Sequence, residues 1–339
     1  MACGTGPVTR TVSSLVMTAT EQTAVATALL FATMAGPVGA QTFEGPGARA
    51  QGMSAFVAVA DDASAVYWNP AGLASGAYFS LVLDRTEGEA LPAGAGRGGK
   101  RSSWLLALSA PALGLSYYRL RSSNVEPASA DLPGFSRVQT LVTHHAGATL
   151  VQSIFDRLAV GATLKLVRGV ATSASTRGEV EELLDDPEMG VASNRFDVDV
   201  GVMATARLIR AGLTVRNIVQ PEFESLDGDM LRLDRQARAG ISLLLTDRWT
   251  AAADFDLTRN RGPLGDVRSL AFGTEGRLTR RAVARAGVQL NLAGDLGRTP
   301  VGTLGASYAV FGSMLVDAHV STGSDEAFTG WGVAGRVVF

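Results

Sequence analysis

The chain has 339 residues, 46% of them apolar and only 18% charged, with a formal net charge of -2. So small a charge leaves no basic surface for phosphate-driven nucleic-acid binding. The single cysteine, Cys3, lies in a segment expected to be removed, which excludes disulfides, a thiolate nucleophile and cysteine-based metal sites from the mature protein.

Residues 1–40 read as a signal peptide. Arg10 supplies a weak positive start, Thr23 to Ala35 is apolar and small, and Val38-Gly39-Ala40 offers a small-x-small cleavage site before Gln41. The apolar run is shorter than the roughly 20 residues a spanning helix needs. Glu21 and the long leader before the run suggest a true start downstream of Met1, at Met17. After Ala40 there is no apolar stretch of 18 residues without charges, so export leaves a periplasmic protein or a membrane β-barrel.

Residues 41–76 differ from all that follows. They are rich in small residues, lack strand alternation, and carry turn signals at Gly45-Pro46-Gly47 and Asn69-Pro70. A disordered periplasmic leader is the simple alternative, but Met53, Phe56, Val57, Val59, Tyr67 and Trp68 give the segment more apolar bulk than disordered chains carry.

From Tyr78 onward, apolar residues alternate with small or polar ones at a period of two. Trp331, Val333, Gly335, Val337 and Phe339 oppose Gly332, Ala334 and Arg336. Met314, Val316, Ala318 and Val320 oppose Asp317 and His319, and Ala284, Ala286, Val288 and Leu290 oppose Arg285, Gln289 and Asn291. This is the strand period, with the two faces meeting different solvents. Strands are predicted near 77–85, 103–109, 113–120, 137–150, 158–171, 193–207, 211–219, 232–245, 249–258, 267–277, 281–291, 301–310, 314–321 and 328–339, fourteen in all.

Tight links (110–112, 208–210, 246–248, 278–280, 311–313) alternate with longer polar ones (86–102, 121–136, 172–192, 220–231, 259–266, 292–300). Outer-membrane barrels show this asymmetry of short periplasmic turns and long outer loops, and a soluble β-sandwich has no reason to keep it. The predicted fold is therefore all-β: one transmembrane antiparallel barrel over residues 77–339, with 41–76 as a plug in a lumen too wide for wall side chains to fill. Outer-membrane lipid is its first partner. Phe339, preceded by apolar residues at every second position, matches the C-terminal signature read by barrel-assembly machinery. Aromatics at 6% of the chain predict thin interfacial girdles, and His144 falls on the lipid face among Val142, Ala146 and Ala148.

The strings Gly47-Ala48-Arg49-Ala50-Gln51-Gly52-Met53, Ala55 to Ala65, and Tyr67-Trp68-Asn69-Pro70-Ala71-Gly72-Leu73-Ala74 closely resemble the N-terminus of the PorV/PorQ family, within the FadL-like group of outer-membrane barrels. Gly212 to Ile218, Arg285 to Val288 and Thr303 to Tyr308 add thinner resemblance. The resemblance implies a fourteen-strand barrel with an N-terminal hatch. In FadL-like transporters an Asn-Pro-Ala motif of the hatch lies near a lumenal ligand route, which maps to Asn69, Pro70 and Ala71; PorV-type relatives serve type IX protein export. Family members usually carry Gly-Gly after the methionine where this chain has Ser54, with little consequence expected unless that position needs a positive φ.

On these registers the lumen carries Lys165, Asp197, Asp199, Arg238, Asp254, Asp256, Glu275, Arg285, Asp317, His319 and Arg336, facing Arg49, Asp61 and Asp62 of the plug. Both signs are present, so a hydrated, mutually paired lining is the simplest expectation. Asp254 with Asp256 forms a carboxylate pair of the kind that binds Ca²⁺, and Asp317 with His319 a pair able to orient a base. Neither has a third ligand or a nucleophile at a recognisable spacing, so no enzyme, metal or cofactor is expected. Glu179 to Asp186 reads as a solvated outer loop. Two roles are carried forward: a PorV-like component for export or surface attachment of secreted proteins, and a FadL-like channel for long-chain fatty acids or other hydrophobic small molecules.

Overall fold

The computed structural model describes residues 45–90, 98–127, 136–176, 190–262, 265–293, 300–323 and 328–339. The expected signal peptide, residues 41–44 of the plug segment and the acidic stretch Glu179 to Asp186 lie outside the described residues.

Alternating side chains form a wall whose strands run in chain order. They are β1 (Ser80–Ala90), β2 (Gly98–Ala110), β3 (Leu113–Pro127), β4 (Ser136–Phe155) and β5 (Leu158–Thr176). After them come β6 (Ala192–Ala206), β7 (Ile209–Arg216), β8 (Gln236–Thr246), β9 (Trp249–Asp256) and β10 (Ser269–Arg277). The wall ends with β11 (Ala282–Asn291), β12 (Val301–Phe311), β13 (Met314–Gly323) and β14 (Thr329–Val338). Each pairs antiparallel with its neighbour in sequence, and β1 closes on β14 with Ser80 opposite Val338. Closure removes every sheet edge, so backbone groups facing hydrocarbon find partners within the wall. All fourteen predicted segments become wall strands.

The two faces separate as expected. Leu83, Leu106, Leu164, Leu166, Ile241, Phe272, Leu304, Val320 and Val333 point outward and are exposed, while Lys165, Asp197, Arg238, Asp254, Arg285 and Asp317 point inward and are buried. So many large apolar side chains on one continuous surface need a hydrocarbon solvent. Partial aromatic girdles mark its limits. Tyr78, Phe155, Trp249, Phe311 and Phe339 lie exposed at the ends next to the tight turns. His144 stays on the lipid side, its Nδ1 2.8 Å from the Tyr117 hydroxyl.

The ladder outruns the alternation on the loop side. β1 to β3 reach 11, 13 and 15 residues, so 86–90, 98–102 and 121–127 are strand where loop was expected. Above the bilayer both faces of a strand can be polar, which erases the period-two signal although the backbone pairing continues. Two hairpins were also missed. Glu222–Glu224 pairs with Met230–Arg232, and Asn260–Gly262 pairs with Gly265–Val267. The first lays Phe223 against the inward-facing Leu141, Val167 and Ala171, beside Leu233.

The main core lies inside the barrel. The plug folds as α1 (Ala48–Met53), α2 (Ala65–Trp68) and a 3-10 turn over Pro70–Ser75. Helices this short are unstable alone, and here they are held by the wall. Met53, Phe56, Val66, Tyr67 and Trp68 pack with Val82, Leu105, Tyr118, Met203 and Ala271 of the strands. Rings meet edge to face, Phe56 on Trp68 at 6.0 Å and Tyr67 on Tyr118 at 5.4 Å. The described plug is a packed insert rather than a loose leader.

Candidate functional site: the plug and its ionic seat

The wall holds the plug first through its backbone. α1 presents its N-terminal N–H groups to Asp84 of β1, with Gly47 N and Ala48 N donating at 2.8 and 2.6 Å. Asp254 of β9 accepts from Phe56 N at 2.7 Å and Val57 N at 3.0 Å. Carboxylates that accept such donors bind them with charge-assisted strength.

Side chains then close a ring of alternating charge. Arg49 Nε and Nη2 reach Glu275 at 3.0 and 3.1 Å, and Arg285 Nε reaches the same carboxylate at 2.6 Å. Arg285 lies 3.6 Å from Asp317, which accepts from Arg336 Nε at 3.1 Å. Arg336 is 3.4 Å from Asp62, and Asp62 returns to Arg49 at 2.9 Å. Asp61 adds a further contact to Arg49 at 2.6 Å. Three guanidiniums thus meet Glu275, Asp317 and Asp62 in a closed circuit joining plug to wall. Burial opposes charge on Asp62, yet Arg49, Arg336 and the Ser64 hydroxyl hold its carboxyl down at about 2. Burial likewise opposes charge on Arg49, but its three acidic neighbours raise its guanidinium well above the ordinary value.

A second cluster stands across the lumen. Lys165 Nζ contacts Asp197 at 2.8 Å and Asp199 at 2.7 Å. Arg216 lies over the Tyr67 ring, 3.5 Å from its centroid. Arg238 donates to Asp256 at 2.5 Å.

Asn69, Pro70 and Ala71 sit where the plug meets β5 to β7. Asn69 Oδ1 accepts from Ala71 N at 3.2 Å and so caps the 3-10 turn that Pro70 begins. Its Nδ2 donates to Val57 O at 3.1 Å and, across to the wall, to Val202 O at 3.2 Å. The wall is thinned to receive it, because a side chain at Gly201 would collide with Asn69 Oδ1 and the Pro70 ring. Gly273 does the same for the carbonyl of Met53.

The paired sites read from the sequence separate in space. Asp254 serves the plug backbone while Asp256 serves Arg238, so the two carboxylates do not converge on one ion. Among the described residues no group of three or more His, Cys, Asp or Glu side chains could hold a metal. Asp317 is engaged by Arg336 and the Ser307 hydroxyl, and His319 sets its ring beside Gly332 and its Cβ beside Gly52. Asp84, Tyr118 and Arg216 escaped the sequence reading. Asp84 shares its face with Ser80, Val82 and Thr86, but the opposite face passes from Leu81 and Leu83 to Arg85 and Glu87 and so breaks the alternation around it, and Tyr118 is an aromatic pointing inward.

Ser54 meets the condition under which its departure from Gly-Gly was expected to matter. Its φ is 61°, so the position does use the left-handed region that glycine prefers, and the departure from Gly-Gly has a conformational cost.

A family model described as F plasmid transfer operon, TraF, protein matches residues 145–256. No curated protein matches the sequence. Solved structures match over nearly the whole chain. The Pseudomonas putida toluene transporter TodX superposes with a TM-score of 0.60 at 14% identity, covering 88% of this chain and 99% of TodX. The monoaromatic hydrocarbon channel CymD gives 0.61 at 16% identity, covering 88% and 99%. A Pseudomonas aeruginosa FadL homologue gives 0.61 at 11% identity, covering 89% and 100%. TodX and CymD are a transporter and a channel rather than enzymes, and the narrower PorV/PorQ resemblance rests on the sequence strings alone, dense from Gly47 to Ala74 and thin beyond. The chain shares the fold of FadL-like outer-membrane barrels.

Proposed function

We propose that the protein is an outer-membrane channel for hydrophobic small molecules, such as long-chain fatty acids or aromatic hydrocarbons, exported by residues 1–40 and assembled through its Phe339 end. The observation that carries this reading is a plug bearing Asn69-Pro70-Ala71, seated in a barrel of the same fold as transporters of such molecules. On the loop side of the plug, Phe223 packs with Leu141, Val167, Ala171 and Leu233 in a buried apolar cluster, which an entering ligand would have to part. Passage then requires the plug to shift from its ionic seat.

Liposomes containing the protein should take up labelled oleate or toluene faster than empty ones. Ser54 and Thr303 touch across the plug–wall seam at 2.9 Å. The pair Ser54→Cys and Thr303→Cys should halt uptake on oxidation and restore it on reduction. Wild-type liposomes no more permeable than empty ones would end this reading.

A second role, in export and surface attachment of proteins, is supported by the dense PorV-like string from Gly47 to Ala74. It predicts that deleting the gene strips specific proteins from the cell surface while hydrocarbon uptake is unchanged.

A further inference from the structure

The outward face of β7 to β11 stays free of charge all the way to the tight turns. Ala211, Ile241, Ala253, Phe272 and Val288 are lateral partners in one row. The next row toward the turns is Ile209, Leu243, Ala251, Thr274 and Ala286, and the last holds Trp249, Gly276 and Ala284. The Trp249 ring lies across Gly276, where any side chain would collide with it. An indole at the end of an apolar face marks the level at which hydrocarbon gives way to headgroups.

Charge begins one step beyond. Arg157, Arg207, Arg248, Arg280 and Arg281 stand exposed on four consecutive turns, from β4–β5 to β10–β11, against two carboxylates, Asp156 and Asp247. Among the described residues none of these five guanidiniums has an ion-pair partner. Arg210, which faces inward and lies 3.9 Å from Asp61, is not counted with them. The turns at Pro111-Ala112 and Gly312-Ser313 carry no charge, so the cations occupy one side of the periplasmic rim. Leu208, Leu245, Trp249 and Leu278 are exposed beside them and need hydrocarbon. Guanidiniums next to such side chains stand at the depth of lipid phosphates, whose oxygens match their donor fork.

We propose that this side of the rim binds the headgroups of anionic phospholipids in the inner leaflet of the outer membrane, gathering them against β6 to β11. The acyl chains then lie on Ile209, Leu243, Trp249 and Phe272. The uncharged turns around Pro111 and Gly312 have no such preference. None of these arginines enters the ionic seat of the plug, so the site is separate from any lumenal route.

The test places the full-length protein in vesicles of phosphatidylcholine and phosphatidylglycerol, with bromine on the acyl chains of one lipid or the other. Bromine quenches a tryptophan that it touches, and subtracting the signal of Trp249→Phe isolates Trp249. In wild type, phosphatidylglycerol should quench Trp249 as though enriched about fivefold over its share of the bilayer, the attraction of a single basic residue to an anionic surface. Arg248→Gln/Arg280→Gln/Arg281→Gln should bring that ratio back toward one. Heat-modifiable gel migration checks that the barrel stays folded; if the triple variant fails that check, Arg248→Gln alone should lower the ratio. Equal quenching of Trp249 by the two brominated lipids in wild type would overturn the proposal and leave the arginines to an acidic periplasmic protein. Enrichment that persists in the folded variant would also sink it, because something other than these guanidiniums would then be drawing the lipid.

Discussion

Arg49 of the plug and Glu275 of the wall meet as a fork on a carboxylate, with two nitrogens at 3.0 and 3.1 Å from its two oxygens, although 226 residues separate them in sequence. The pair is the point at which a short N-terminal segment is locked to a strand formed near the end of the chain. Removing either partner breaks one contact of the ring but leaves Glu275 with Arg285, or Arg49 with Asp61 and Asp62, so the loss should fall below the ~3–5 kcal/mol of a buried charge left wholly unpaired. Arg49→Ala and Glu275→Ala should each lower the thermal transition read by circular dichroism. The double variant should fall well short of the summed losses; simple additivity would show that the two do not interact.

The contribution of Asp62 to plug seating should be lost to acid only at very low pH. Asp62 is held at about 2 against an ordinary 3.8, so the folded state binds its proton less tightly than the unfolded chain does. Its contribution is complete above about pH 4 and is lost as pH falls through 2, and the shift corresponds to about 2 kcal/mol. Trp68 fluorescence in detergent should stay constant from neutral pH to about 4 and change below 3. Asp62→Asn, which cannot ionise, should flatten that acid limb and be less stable at neutral pH.

Ser54 carries two opposed effects. Its φ of 61° costs of order 1 kcal/mol relative to glycine, while its hydroxyl bonds Thr303 at 2.9 Å, a gain of similar size. Ser54→Gly should therefore be close to neutral in the native background. In a Thr303→Val background, where that bond is already gone, the same change should stabilise by about 1 kcal/mol in chemical denaturation. No gain there would mean that the backbone is relaxed as serine.

The glycine-thinned wall predicts how the plug can be dislodged without breaking the barrel. Gly201→Val sets a side chain against Asn69 and Pro70 and should weaken plug seating by about 1–3 kcal/mol. Limited proteolysis should cut the plug faster in this variant while heat-modifiable migration of the barrel is retained. Equal cleavage rates would mean that the seat can yield elsewhere.

Strand number, wall polarity and most lumenal charges could be read from the sequence because a strand with different solvents on its two faces writes them out at every second residue. Asp254, Arg285, Asp317 and Arg336 all point inward on the strands expected to carry them. Where both solvents are water the pattern lapses, and the loop-side extensions of β1 to β3 and the hairpin bearing Phe223 went unseen. What only the tertiary structure decided is pairing. Asp254 and Asp256 look alike two residues apart, yet one caps plug N–H groups and the other holds Arg238, because the plug backbone arrives at just one of them. The ring from Arg49 through Glu275, Arg285, Asp317 and Arg336 to Asp62 likewise has no local signature. Its members come from strands and a plug far apart in the chain, and barrel closure alone makes them neighbours.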